Sequence, residues 1–157
     1  MKLLFKQRMF SWFDSYDIYD ENGQTVYTVQ GRLAWGHRLE IYDAEGYHVG
    51  TVKEEVLTFL PRFALYAGEE YIGQIKKEFT FFKPVFSLDC NGWQVQGDWF
   101  EWDYEVTDAA GQPVMYAGKE LLRWTDTYVL DILRQEDALL CLMIVLAIDA
   151  AKCSGGD

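Results

Sequence analysis

The sequence predicts a mainly β fold: a closed twelve-stranded antiparallel barrel around a central hydrophobic helix at the C-terminal end. Three observations carry this. Short runs alternate apolar and polar residues with turn-forming residues between them, and one strand-turn-strand pattern recurs along the chain. Near the end, "EDALLCLMIVLAIDAAK" holds an unbroken apolar run from Ala138 to Ile148.

Taken in chain order, the runs place strands starting near Leu3, Ser15, Thr25, Arg38, His48, Arg62, Glu70, Val85, Trp93, Asp103, Pro113 and Tyr128. Period two is cleanest in "WQVQGDW", where Trp93, Val95, Gly97 and Trp99 share one face and Gln94, Gln96 and Asp98 the other. "DYEVTD" repeats it, with Tyr104 and Val106 inward. In "CNGW", Asn91-Gly92 separates two apolar runs and predicts a two-residue hairpin turn over Phe86 to Trp99, because both residues tolerate positive φ. "DIYDENGQTVYTV", "EIYDAEGYHVGTV", "ALYAGEEYIGQI" and "EVTDAAGQPVMYA" each read as a hairpin about a glycine-containing turn. Their spacing is irregular, which favours one sheet system over a solenoid or propeller.

The apolar run then needs a place. A spanning helix takes about 20 apolar residues, and this segment reaches barely half of that before Asp149. Leu139 through Leu146 point in every direction around a helix axis, so the helix belongs inside something. A barrel closed around it buries it on all sides. The expected organisation is one domain over residues 1–152, with the central helix at about 136–151 and residues 153–157 as a disordered tail. Glu136 and Asp137 suit the positive helix start and Lys152 its end.

Composition bounds the function. A chain of 157 residues buries roughly 70% of its extended surface, enough for one sizeable core. The net charge of −11 opposes long-range attraction to nucleic acid, which is not expected as a partner, and to anionic bilayers unless a local basic patch offsets it. Cys90, Cys141 and Cys153 form no close pair and read as free thiols in a reducing compartment. Only Leu3 to Phe5 are apolar before Lys6, too few for a secretory segment, so the expected location is cytoplasmic, without a transmembrane segment.

At this level of detail the chain resembles a bacterial member of the LURP-one-related family, within the tubby C-terminal-like superfamily. The stretches that carry the resemblance are "GRLAWGHRLEIYDAEG", "FTFFKPVFSLDCNGWQVQGDWFEWDYEVTD", "WTDTYVLDI" and "LLCLMIVLAIDA", in family order over nearly the whole chain. The resemblance implies a twelve-stranded barrel around a C-terminal helix. Its relatives include phosphoinositide-binding tubby domains and phospholipid scramblases, which implies phospholipid-headgroup binding as an alternative function. It carries over no activity.

The residues themselves point away from catalysis. His37 and His48 flank one predicted strand, read as solvent-facing, with no Cys/His pair at ligand spacing, so no metal and no cofactor is expected. Glu101, Asp103 and Glu105 share one strand face and read as outward solubilising charge; no catalytic residues are assigned. Asp149 reads as a carboxylate that positions the helix end through hydrogen bonds. For lipid recognition the cations in view are Lys76, Lys77, Lys83, Lys119 and Arg123, but Lys76 and Lys77 point to opposite faces of a strand, and no ligand-binding residue is assigned. Phe79, Phe81 and Phe82 would suit either a core or a bilayer interface. The expected function is a non-catalytic cytoplasmic scaffold or protein-interaction module with a protein partner, and weak anionic phospholipid contact as the alternative.

Overall fold

Alternating side chains form twelve strands in a computed structural model that describes residues 1–5, 15–79, 84–121 and 126–154. The strands are β1 Lys2–Phe5, β2 Ser15–Tyr19, β3 Thr25–Ala34, β4 Gly36–Asp43, β5 His48–Glu54, β6 Arg62–Ala67, β7 Glu70–Phe79, β8 Pro84–Leu88, β9 Gln94–Asp98, β10 Asp103–Thr107, β11 Pro113–Leu121 and β12 Asp126–Ile132. Each pairs antiparallel with its neighbours in sequence, and β1 closes the barrel on β12 through Lys2↔Asp131 to Phe5↔Tyr128. A short 3-10 turn, Gln135–Asp137, leads into α1, Ala138–Ser154.

The helix fills the barrel. Every residue from Cys141 to Ile148 is at most 1% exposed. Inward strand residues such as Ile18, Val29, Ile41, Phe63, Ile75 and Phe86 surround them, all with 0% exposure. Burying each large aliphatic side chain contributes roughly 1.5–3 kcal/mol. The helix comes close at Gly50 on β5, where a Cβ would stand 2.5 Å from Met143 Cε and 3.1 Å from the Tyr66 carbonyl oxygen, so a side chain there would force the Met143 side chain to repack. Burial raises the Cys141 thiol to about 12, with Asp137 adding to the shift.

Three turns are built alike. In Asp20–Gln24, Asp43–Tyr47 and Asp108–Gln112 the leading aspartate accepts two backbone N–H bonds at 2.8–3.0 Å through Oδ1, two and four residues on. Its backbone N–H also donates to the carbonyl of the fifth residue, and the glycine in fourth place, at φ 78, 89 and 80°, takes the left-handed conformation that closes the turn. The fourth repeat, at Gly68-Glu69, is a tighter turn.

Four expectations are corrected. The helix begins at Ala138, two residues late, because Glu136 and Asp137 lie in the 3-10 turn. It also continues to Ser154, so residues 153 and 154 are helical; 155–157 lie outside the described residues. The Phe86–Trp99 hairpin turns through residues 89–93 rather than two residues, since only Gly92 has positive φ (74°) and Asn91 instead accepts from the Trp93 N–H at 3.0 Å. His37 is buried, at 3% exposure, because period two puts it on the inward face with Leu39 and Ile41.

Candidate docking surface

Strand parity assigns every connection to one end of the barrel. At the helix N-terminal end lie the turns β2–β3, β4–β5, β6–β7, β8–β9 and β10–β11. Their sequences, "DENGQ", "DAEGY", "GE", "DCNGW" and "DAAGQ", hold acids and no lysine or arginine. At the other end lie β3–β4, β5–β6 and β9–β10, together with the ends of β7 and β11.

That second end is an apolar rim. Trp35 in the β3–β4 turn is 87% exposed, and the 55–61 loop presents Leu57 and Phe59 at 102% and 96%. Val56, Phe79 and Phe100 are exposed there too. The two loops touch: a Cβ on Gly36 would lie 2.9 Å from Val56 Cγ1. Leu57 holds φ 63°, a left-handed conformation that costs a side-chain-bearing residue on the order of 1–2 kcal/mol, and it directs the side chain into solvent. Inside the rim the barrel mouth is closed by aromatics. Trp99 packs edge-on to Phe86 at 5.2 Å, Trp102 lies 4.5 Å from Tyr128, and Lys152 Nζ sits 5.4 Å over the Trp102 ring.

Just behind the tips, cations face outward in register. Arg32 pairs across strands with Arg38, Arg38 with Lys53, and Arg62 with Lys76. Arg38 Nε bonds the buried Glu40 at 2.7 Å, and Lys76 pairs with Glu78 at 3.1 Å. Arg32 donates to Gln30 and to the Tyr42 hydroxyl.

Glu40 is the centre of the most enzyme-like cluster. Its carboxylate meets Arg38, His48 Nε2 at 2.6 Å and the Thr51 hydroxyl at 2.7 Å. Burial would raise its carboxyl, but the Thr51, Arg38 and His48 contacts outweigh this and hold it below the usual range. The arrangement is a poor nucleophile relay. Thr51 gives its proton to Glu40, and one ring nitrogen of His48 meets both the carboxylate and the hydroxyl, leaving no second nitrogen in the chain of contacts. Among the described residues, no three His, Cys, Asp or Glu side chains are grouped to hold a metal ion.

A model of the LURP-one-related family matches residues 1–149. The chain belongs to that family. It is 32% identical over 151 residues to the uncharacterized protein YxjI of Bacillus subtilis (strain 168), covering 95% of this chain and 92% of YxjI. An X-ray structure of an Arabidopsis thaliana protein superposes with a TM-score of 0.65 over 94% of this chain and 90% of that one, at 17% identity, which speaks to the fold alone.

Within this LURP-one-related barrel, the cations singled out in the sequence do not converge among the described residues. Lys76 faces outward beside Arg62, whereas Lys77 lies 5.0 Å over the Trp99 ring and Lys119 5.9 Å over Tyr128. Lys83, Arg123, Phe81 and Phe82 lie outside the described residues. Of the predicted acidic row, Asp103 accepts a hydrogen bond from the Tyr116 hydroxyl on the outer wall. Asp149 is buried, 4% exposed, beside Tyr16 and Tyr104, whose phenols are pushed up first by burial and then by its charge. The row Arg32, Arg38 and Lys53 was missed, because its members are far apart in sequence and meet only through strand register. No helix among the described residues is long and apolar enough to cross a membrane.

Proposed function

We propose that this protein is a non-catalytic docking module of the cytoplasm whose working surface is the apolar rim at the C-terminal end of the helix. One observation carries the reading: exposed large apolar residues gather on the loops of one barrel end while the opposite turns are acidic. A cluster of large apolar side chains left mostly in solvent is what a binding surface offers. The helix occupies the space that ligand-holding barrels leave open, and the Glu40 cluster lacks the order of contacts a nucleophile needs. The exposed free thiol of Cys90 suits a reducing compartment. A phospholipid partner is the second reading, favoured by the cationic row behind the rim.

Site-specific photo-crosslinking in living cells tests it. A crosslinker replacing Phe59 should yield adducts, whether to protein or to lipid, well above the yield from one replacing Tyr47, an exposed aromatic at the acidic end. Equal yields from the two ends, or none from position 59, would remove the rim as the working surface.

A further inference from the structure

We propose that the β3–β7 side of the rim docks on an anionic lipid surface, with Trp35, Leu57 and Phe59 in the bilayer interface and Arg32, Arg38, Lys53 and Arg62 at headgroup level. This rests on the docking reading and names its partner.

The spacing fits. Arg32 precedes Trp35 by three residues and Arg38 follows it by three, while Lys53 precedes Val56 and Arg62 follows Phe59 by the same interval. At no more than about 3.3 Å per residue, the cations stand within roughly 10 Å of these apolar residues. Interfacial segments bury their apolar side roughly 5–10 Å into the headgroup and acyl boundary, so tips at that depth leave the cations among phosphates.

The charges are also unusual for this chain. A protein with 14 basic residues and a net charge of −11 places like charges directly opposite one another at Arg32↔Arg38, Arg38↔Lys53 and Arg62↔Lys76, an arrangement that weakens a sheet. Nearby acids relieve it incompletely: Glu40 is shared among Arg38, His48 and Thr51, Glu78 serves Lys76, the Glu54 carboxylate turns to His37, and Glu55, whose backbone N–H bonds the Arg62 carbonyl at 2.9 Å, is the one acid set opposite Arg62. Lys53 and Arg62 make no ion pair among the described residues. A layer of lipid phosphates would complement the whole arc. Across the barrel, Asp98, Glu101 and Asp103 mark the β9–β10 side as repelled by such a surface, so the molecule approaches tilted, with the acidic turns pointing away.

The form of the apolar groups favours a fluid partner over a protein. Leu57 and Phe59 are fully exposed points on a loop rather than parts of a packed patch, and Leu57 is held outward by an unfavourable backbone conformation. A protein would need a separate pocket for each tip, whereas a bilayer interface accepts protruding side chains wherever they fall.

Sedimentation with vesicles decides it, using phosphatidylcholine alone or with phosphatidylglycerol added, at low and physiological salt. Wild-type protein should pellet with the anionic vesicles, far less with the neutral ones, and progressively less as salt rises. Arg32→Gln with Lys53→Gln should weaken binding by about five-fold for each cation removed. Trp35→Ser with Leu57→Ser and Phe59→Ser should abolish it, and Tyr47→Ser should leave it unchanged. These side chains are exposed, so matching melting curves establish that each variant is folded. Wild-type protein that pellets with neither vesicle, or equally with both, overturns the proposal, as does undiminished binding by the triple variant. Protein adducts from position 59 together with failed sedimentation would leave the docking reading standing and assign it a protein partner; failure of both experiments would remove both.

Discussion

The two ends of this barrel are made by the same antiparallel strands and differ in almost everything else. At the helix N-terminal end, three turns repeat one design: an aspartate holds two backbone N–H groups, and a glycine supplies the left-handed residue. The aspartate that leads each of those turns has a structural task. At the opposite end, Leu57 takes the left-handed conformation that a glycine would take more readily, and Leu57 and Phe59 stand in water. One end follows the rules of local stability and the other breaks them. Departures of that kind concentrate where a surface serves something outside its own chain.

Mutational melting curves test this contrast. The largest effect falls on what both ends share: deleting residues 136–157 should prevent folding, since it removes the barrel's interior, and a truncated protein melting cooperatively at the wild-type temperature would contradict the architecture. Leu142→Ala and Leu146→Ala, at side chains no more than 1% exposed, should each cost about 2–5 kcal/mol by chemical denaturation. Asp43→Ala comes next. It strips the Glu45 and Tyr47 N–H groups of their acceptor and should cost about 1–2 kcal/mol, with similar losses for Asp20→Ala and Asp108→Ala.

A pH effect follows at the rim's root. Burial lowers the His37 ring to about 4, against the opposing pull of Glu54. The unfolded chain takes up that proton near pH 6.5, so the contribution of neutral His37 is full above about 6.5 and is lost as pH falls toward 4. His37→Gln should flatten that part of the stability profile, and an unaltered profile would rule out His37 as its source. Smallest of all, Leu57→Gly should stabilise by about 0.5–1 kcal/mol by relieving the positive φ. A destabilising Leu57→Gly would mean that the tip packs on its own barrel and would erase the contrast between the ends.

Much of the fold was legible because a half-buried strand writes its geometry as alternation. Trp93, Val95, Tyr104 and Val106 are buried as period two required, and the apolar run 138–148 could only be enclosed. The same rule applied to "GHRLEIYD" would have turned His37 inward with Ile41; its polarity argued otherwise and misled. The docking surface was harder. "EVLTFLP" reads as one more apolar stretch, and its exposure follows only from its place between β5 and β6. Alternation of the connections was the available signal: every second one is acidic and glycine-bearing, while those between them hold "AWG", "EVLTFLP" and "WFEW". The cationic arc needed strand register, which no local pattern supplies.

Closure of the barrel by β1 and β12 also sets an order of events. The Met1 amino group donates to the Ile132 carbonyl at 3.0 Å, and the strands that meet there are the first and last of the barrel in chain order. Neighbouring hairpins can pair as they emerge, but the helix that makes up their common interior is translated after all of them. At about 5–20 residues per second, the growing sheet keeps its apolar face unprotected for several seconds before its filling exists. Folding of the native barrel therefore waits for synthesis of the helix, and the nascent chain before that point is the stage at which chaperones have the most to bind.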